Sequence, residues 1–195
     1  MNSLSLSVLI PAAGSSERLG QAKQLVRYKG QSLIQNAINL AFSVDPGEII
    51  VVTGANAEAV KAAVQQEPTR WIHNPRWSTG MGGSIALGAS AMGPDSSSLL
   101  VLLCDQWRLK KWELQKLIVA WRSDPERIVV ARAEGKYMPP VIFPSGCFEE
   151  LCQLTGDQGA RKVIENHPDL ITPVQIENAA FDLNTQAQLE KLKAQ

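Results

Sequence analysis

Three apolar runs constrain the fold of this chain most strongly. They occupy Val8–Ile10, Glu48–Thr53 and Leu99–Cys104, and segments in which apolar residues recur at helical spacing lie between them. Runs of this kind are typical of strands that are covered on both faces, as in parallel sheets flanked by helices. We therefore predict an α/β protein with a single domain over residues 1–195, built as a three-layer sandwich around a mostly parallel twisted sheet.

The first apolar run leads into a loop of small residues that is followed by two cations. Pro11 ends the strand because proline has no backbone donor, and residues 12–16 (AAGSS) carry almost no side-chain bulk. Their backbone N–H groups can approach a phosphate closely, and Arg18 and Lys23 add positive charge beside them. The segment matches neither the P-loop nor the GxGxxG pattern, and the alternative interpretation is an ordinary turn with solvated charges.

Polar or small residues also follow the other predicted strands. Gly54 follows the second apolar run, Asn74 follows a short strand at Arg70–His73, and Asp105 follows the third run. Ligands of α/β sheets bind at the carboxyl ends of the strands, so these residues and the opening loop are expected to line one edge. Asp105 therefore has two interpretations. A carboxylate at the end of a buried strand can be a Mg²⁺ ligand beside phosphates, or it can cap the next helix.

Several segments resemble motifs of one enzyme family. The pattern AAGxSxRxGxxK at residues 12–23 resembles the signature of nucleotidyltransferases with a pyrophosphorylase-like fold. Within that superfamily the chain is most similar to the molybdenum-cofactor cytidylyltransferases, a MobA-like group that joins CMP to molybdopterin and releases pyrophosphate. The other matching segments are residues 74–84 (NPRWSTGMGGS), 105–106 (DQ), 155–161 (TGDQGAR) and 182–185 (DLNT).

The resemblance implies a nucleotide-diphospho-sugar transferase-like, Rossmann-like fold and a Mg²⁺-dependent reaction. The terminal phosphate of molybdopterin (molybdenum cofactor) would attack the α-phosphate of CTP. A client molybdoenzyme is a further implied partner. The implied catalytic residues are Arg18, Lys23 and Asp105, and the implied metal ligands are Asp105 and Asp182. The expected nucleotide-binding residues are Ala12, Ala13, Gly14, Ser16, Gly54, Asn74, Gly80 and Ser84.

Two of these positions carry more specific expectations. Ser84 is expected to begin a helix at residues 84–92 whose N-terminus favours a phosphate, although a serine cap after a glycine-rich surface loop has the same pattern. At Ala13 this chain reads AAG where guanylyl-transferring relatives usually read AGG. The extra methyl group narrows the space over the base, which favours a pyrimidine nucleotide and therefore CTP.

Three residues depart from the family's pattern. Trp107 replaces the usual proline after Asp105-Gln106, and Asn184 replaces the second aspartate of the family's DIDT. Met138 stands where the family usually has a glycine, two residues before the proline of its GxP segment. The amide oxygen of Asn184 would hold Mg²⁺ less strongly than a carboxylate. Three rivals stay open. A guanylyltransferase is one, and the cytidylyltransferase of isoprenoid synthesis, which the IPAAG segment and Lys23-Gln24 also resemble, is another. The third is a chaperone that delivers molybdenum cofactor without chemistry, which the three departures would support.

Structural roles also account for several of the matched residues. Asp157 is placed to cap a helix at residues 160–166, and Asp182 or Thr185 is placed to cap the closing helix. The segment Gly135–Pro140 is expected to be a loop, because it contains a glycine and a pair of prolines.

Composition narrows the partners and the compartment. The 19 basic residues balance the 19 acidic ones, so neither nucleic acid nor a membrane surface is an expected partner. The 3 cysteines have no CxxC spacing, which fits a reducing compartment. The first residues lack the features of a signal peptide, and no apolar run has the length of a membrane span. We therefore expect a cytoplasmic protein.

Overall fold

The three apolar runs lie side by side in a seven-stranded sheet in the computed structural model, which describes residues 4–65 and 68–193. The strands are β1 (Leu6–Ala12), β2 (Arg27–Tyr28), β3 (Gln31–Ser32), β4 (Glu48–Thr53), β5 (Arg70–His73), β6 (Ser98–Val101), β7 (Ile128–Ala133), β8 (Lys136–Pro144) and β9 (Ile171–Gln175). The α-helices are α1 (Leu33–Phe42), α2 (Ala57–Ala62), α3 (Met81–Ser90), α4 (Lys111–Ser123), α5 (Phe148–Cys152), α6 (Arg161–Asn166) and α7 (Gln186–Lys193). None of these helices in the described part of the chain has the length and apolar character that crossing a membrane requires.

The large sheet is mostly parallel. Its strand order is β5-β4-β1-β6-β8-β7-β9, and β2 and β3 form a separate antiparallel pair. β1 pairs in parallel with β4 and with β6, so that Ala12 lies opposite Thr53 and Leu9 lies opposite Val101. β8 runs antiparallel to both of its neighbours, and β9 pairs in parallel with β7. The predicted α/β class is therefore confirmed.

Alternate residues of β1 reach two hydrophobic cores, one on each face of the sheet. Val8 and Ile10 are fully buried and pack with the apolar faces of α1 and α4. Leu9 is equally buried and packs on the other face with residues of α3, α5 and α6. Full burial of such a side chain contributes about 1.5–3 kcal/mol. Helices on both faces of one sheet form the three-layer sandwich that the sequence predicts.

A third, smaller cluster holds the C-terminal part of the chain against the loops at the strand ends. Leu19 is buried there together with Trp107, Leu183 and Leu189, the last of which belongs to α7. The ring of Trp107 meets the ring of Tyr28 edge-on, with 5.1 Å between the centroids. The tryptophan that departs from the family's proline therefore fills this cluster.

The prediction of a loop at Gly135–Pro140 is wrong, because most of this segment belongs to β8. β7 and β8 form a hairpin whose turn has Glu134 at φ 49° and the following glycine at φ 75°. The pairing register shifts between Val130 and Ala131, which leaves the two prolines in a bulge. Prolines are tolerated in a strand at such a point, since no ladder donor is required there.

Candidate active site

A cavity of about 580 Å³ opens at the carboxyl ends of β1 and β6. Its walls come from the opening loop, the start of α3, the residues after β6 and the segment before α7. The predicted site residues that line it are Ala12, Ala13, Gly14, Ser16, Arg18, Lys23, Gly80, Ser84 and Asp105. Gly54, Asn74 and Asp182 lie outside its walls.

The opening loop has unpaired backbone donors beside this cavity. The buried Gln24 donates from Nε2 to the carbonyls of Ala12 (2.8 Å) and Gly14 (2.9 Å). The backbone N–H groups of residues 14–16 donate to no group within the described part of the chain. Unpaired N–H groups on consecutive residues form a nest for an anion. Gln24 is not among the predicted site residues, because the sequence does not show which backbone groups its side chain reaches.

The cation of Lys23 lies on the carboxylate of Asp105. Lys23 Nζ and Asp105 Oδ2 are 2.5 Å apart, and the Asp105 side chain is almost fully buried. The backbone N–H of Lys23 also donates to the hydroxyl of Ser16 (3.1 Å), which ties the lysine to the opening loop. Burial, the largest influence, lowers the pKa of Lys23, but the neighbouring acidic groups, Asp105 foremost, together outweigh burial and raise that pKa above its usual value. Lys23 is therefore charged at neutral pH.

Two other side chains at the cavity differ in what they offer to a ligand. Arg18 is exposed and forms no ion pair with any described residue, so its guanidinium is available to an anion. Burial, with a smaller contribution from the negative charge of Asp105, raises the pKa of the Cys104 thiol to about 12. Cys104 therefore stays protonated and unreactive at neutral pH.

The segment before α7 closes the cavity beside Asp105. The backbone N–H of Leu183 donates to the Asp105 carbonyl (3.0 Å). Asn184 bridges two charged groups: its Nδ2 donates to Asp182 Oδ2 (2.6 Å), and its Oδ1 accepts from Lys23 Nζ (3.4 Å). Burial, followed by the negative charge of Asp105, raises the pKa of Asp182. The two aspartates therefore act on each other electrostatically.

These two carboxylates fit a divalent cation. Asp105 Oδ1 is buried and has no hydrogen-bond partner among the described residues, so one carboxylate oxygen is available. Among the described residues, no group of three or more His, Cys, Asp or Glu side chains could hold a metal ion by itself. Mg²⁺ is commonly held by one or two carboxylates when substrate phosphates and water complete its shell. Asp105 and Asp182 therefore suit a cation that arrives with a phosphate ligand.

The prediction that a helix begins at Ser84 is wrong. α3 begins at Met81, after Gly80 as the N-cap residue at φ 115°. Gly82 lies so close to a neighbouring backbone that a Cβ atom has no room, and this contact holds the glycines in the helix despite their low propensity. Ser84 is buried in the first turn, where its hydroxyl accepts from Asn74 Nδ2 (3.0 Å). The helix N-terminus at the cavity is therefore at residues 80–81.

The capping interpretation is wrong for Asp157 and correct for Thr185. The N-cap residue of α6 is Ala160, and Asp157 lines the cavity instead. The Thr185 hydroxyl accepts from the backbone N–H of Gln188 (3.3 Å), and Gln188 Oε1 accepts from the Thr185 N–H (2.9 Å). This reciprocal capping box begins α7, so Asp182 is not the cap.

Gly54 and Asn74 support the cavity from behind. A Cβ atom on Gly54 would lie 2.6 Å from the Ala13 carbonyl oxygen and 2.5 Å from Trp77 Cβ, so only glycine fits between them. Gly54 itself lines a neighbouring cavity of about 500 Å³. Asn74 is buried and holds Ser84 through its amide. Direct contact of either residue with a nucleotide stays a prediction.

We expect Gly80→Ala to destabilise the protein much more than Gly135→Ala. Both glycines have positive φ (115° and 75°), so an alanine strains the backbone at each by about 1–3 kcal/mol. At Gly80 the new methyl group would also lie 2.6 Å from Asp157 Oδ1, whereas at Gly135 nothing lies within 4 Å of it. Chemical denaturation measures the difference, and equal losses of unfolding free energy would contradict the packing at Gly80.

Comparison with known proteins decides the family. The family model described as MobA-like NTP transferase domain matches residues 8–170, which is most of the chain. This chain belongs to the MobA-like NTP transferase family. The resemblance seen in the sequence motifs is confirmed, and the protein is a nucleotidyltransferase.

Curated relatives of this MobA-like protein carry different names. It is 32% identical over 192 residues to the nicotine blue oxidoreductase of Paenarthrobacter nicotinovorans, with 93% of each chain covered. It is 31% identical over 169 residues to the purine catabolism protein PucB of Bacillus subtilis, with 80% of this chain and 78% of PucB covered. It is 29% identical over 146 residues to a probable molybdenum cofactor guanylyltransferase of Synechococcus elongatus, with 72% of each covered. These names do not agree on one substrate.

Solved structures share the fold over nearly all of the chain. Rv0371c of Mycobacterium tuberculosis H37Rv has a TM-score of 0.86 at 23% identity, with 99% of this chain and 100% of that one covered. A manganese complex of Rv0371c has a TM-score of 0.81 at 20% identity, with 98% and 99% covered. At these identities the similarity establishes the fold alone. The manganese ion is a ligand of Rv0371c.

Proposed function

We propose that this MobA-like protein transfers CMP from CTP to the phosphate of molybdopterin (molybdenum cofactor), in a Mg²⁺-dependent reaction that releases pyrophosphate. The observation that carries the proposal is one cavity that contains Lys23, the Asp105 carboxylate and loop N–H groups that no described residue accepts from. The similarity to a probable molybdenum cofactor guanylyltransferase supports a pterin acceptor. A single domain over residues 1–195, a cytoplasmic location and delivery to a client molybdoenzyme are parts of the same proposal.

The proposed reaction needs no general base. A phosphate monoester is already ionised at neutral pH, so the protein has to align the reactants and neutralise charge. The backbone N–H groups of residues 14–16 bind phosphate oxygens, Lys23 neutralises the departing pyrophosphate, and Arg18 adds a planar fork of donors from the rim. A Mg²⁺ ion held by Asp105 and Asp182 supplies further neutralisation of phosphate charge when it is bound.

Ala13→Gly is expected to relax the preference for CTP over GTP. Ala13 is buried and lines the cavity. In this proposal its methyl group takes space that a purine base would need. Steric exclusion by one methyl group changes the ratio of kcat/KM values by roughly 10- to 200-fold. Steady-state kinetics with both nucleotides measure this ratio. An unchanged ratio in the variant would show that Ala13 does not select the base.

An oxidoreductase is the second candidate function. One specific observation favours it: the relative that matches 93% of this chain at 32% identity is named a nicotine blue oxidoreductase. The residues of the cavity favour an oxidoreductase less. The cations of the cavity and the backbone donors of its loop suit phosphate groups. The Cys104 thiol stays protonated and is therefore a poor redox group. Transfer of a nucleotide therefore stays the preferred function.

Pyrophosphate release separates the candidates. The protein is incubated with Mg²⁺ and molybdenum cofactor, and CTP, GTP, ATP and UTP are tested in separate reactions. Release with CTP alone supports the proposal, and release with GTP alone assigns a guanylyltransferase. No release from folded protein that binds the cofactor assigns a delivery chaperone. Reduction of nicotine blue by a nicotinamide reductant, without pyrophosphate release, assigns an oxidoreductase.

A further inference from the structure

Gln24 makes contacts that set the direction of the opening loop. Its side chain is 1% exposed, and its Nε2 donates to the carbonyls of Ala12 (2.8 Å) and Gly14 (2.9 Å). The intervening carbonyl of Ala13 accepts from the backbone N–H of Ala55 (2.9 Å). Three successive carbonyls are therefore occupied by protein donors, and the N–H groups of residues 14–16 donate to no described residue.

The amide oxygen of Gln24 has no hydrogen-bond partner among the described residues. Gln24 Oε1 is buried and accepts no hydrogen bond from the described residues. A buried acceptor without a partner lowers stability, and an apolar side chain of the same length would avoid that cost. Exchanging the amide oxygen and nitrogen would set an oxygen against two carbonyl oxygens, so the orientation is fixed. The two bonds from Nε2 are therefore what this glutamine supplies.

We propose that Gln24 is a positioning residue for nucleotide binding, which turns the loop carbonyls away from the cavity so that the N–H groups of residues 14–16 meet the triphosphate. The inference rests on the proposed nucleotidyl transfer. Gln24 directly follows Lys23, whose own backbone N–H donates to Ser16 (3.1 Å), so the loop and the catalytic cation are held as one unit. The Gln24 side chain also lines the cavity, and in this proposal it acts by holding the loop.

Gln24→Met tests this role, with Gln35→Met as the matched control. Methionine keeps the length of the side chain and removes its donors. Gln35 is a buried glutamine of α1 that donates to Asn39 Oδ1 (2.9 Å) and accepts from the backbone N–H of Gln65 (2.7 Å). It does not line the cavity. Thermal unfolding of the two variants shows whether they lose similar stability.

Gln24→Met is expected to weaken the binding of CTP by on the order of tenfold to a hundredfold, because two hydrogen bonds that shape the loop are lost. Gln35→Met is expected to change it by no more than about threefold. Calorimetric titration with CTP and Mg²⁺ in the absence of the pterin measures binding without turnover. In kinetics, Gln24→Met raises KM for CTP and leaves KM for the cofactor unchanged, whereas general damage to the structure raises both.

Gln24→Glu adds a signature that a merely structural role would not produce. The ionised carboxylate only accepts hydrogen bonds and would repel the Ala12 and Gly14 carbonyls, whereas the protonated form has one O–H to donate. Burial raises the pKa of such a carboxyl group. Binding of CTP by Gln24→Glu, relative to wild type, is therefore expected to recover in part between about pH 8 and about pH 6. Gln24→Met is expected to show no recovery.

Each outcome of these titrations decides a separate question. Equal CTP affinity in wild type and Gln24→Met overturns the positioning role and leaves nucleotidyl transfer untouched. A wild-type protein that binds CTP more tightly than Gln24→Met, but transfers no nucleotide, supports the positioning role and overturns the proposed function. If wild type binds GTP instead, the same comparison with GTP decides the role of Gln24. A wild type that binds none of the four nucleotides overturns both.

Discussion

Lys23→Met is expected to lower kcat/KM for CTP by on the order of 10²–10³. The Nζ atom of Lys23 lies 2.5 Å from Asp105 in the wall of the cavity, next to the loop with unpaired N–H groups. A cation already held beside the phosphates stabilises the developing charge of pyrophosphate without reorganisation during the reaction. Methionine keeps most of the side-chain length and removes the charge. Initial rates of pyrophosphate release over a range of CTP concentrations measure the loss.

The same substitution is expected to lower the free energy of unfolding by about 1–3 kcal/mol, because the buried Asp105 loses its partner. Lys116→Met is the matched control, since Lys116 is an exposed lysine of α4 whose Nζ lies 4.6 Å from the ring centroid of Trp112. The control is expected to keep the wild-type rate. A folded Lys23→Met enzyme as fast as wild type would remove Lys23 from the proposed mechanism.

Asp105→Asn is expected to lower turnover by on the order of 10³ and to weaken the binding of Mn²⁺ in the presence of CTP by tenfold or more. Asparagine keeps the shape of aspartate and can still accept from Lys23 Nζ, so the effect reports the lost negative charge. Electron paramagnetic resonance of free Mn²⁺ measures metal binding without relying on catalysis. Removal of the metal with a chelator is expected to stop pyrophosphate release by the wild type.

Asp169→Asn is a suitable control for this variant, because Asp169 is an exposed aspartate outside the cavity walls. It is expected to retain both metal binding and turnover. Unchanged affinity for Mn²⁺ in Asp105→Asn would show that the metal has other ligands. Unchanged turnover would show that the buried carboxylate serves the Lys23 ion pair alone.

Local sequence pattern was sufficient to predict the layers of the fold and much of the cavity. Continuous apolar runs such as Val8–Ile10 require cover on both faces, and that requirement alone implies helices on each side of a parallel sheet. The topology then brings together strand-end residues that are distant in sequence. Lys23 and Asp105 are 82 residues apart in the chain, yet their side chains form an ion pair in one cavity.

Features that depend on tertiary contacts were not predictable in the same way. The start of α3 depends on the approach of Gly82 to a backbone more than seventy residues away, at Thr155 and Gly156, and no local pattern reports that approach. The role of Gln24 depends on two carbonyls ten and twelve residues before it. Helical spacing and motif order do not predict such hydrogen bonds, because a single polar side chain produces no repeating sequence pattern.

Transfer of radiolabel from CTP labelled at the α-phosphate to the pterin tests the central claim most directly. We predict a labelled pterin product with one pyrophosphate released for each label transferred, and formation of both products slowed by on the order of 10³ in Asp105→Asn. Label that appears only as free CMP would show hydrolysis without transfer. Absence of label in the pterin, from folded wild-type protein with Mg²⁺, CTP and molybdenum cofactor all present, would contradict the proposed function.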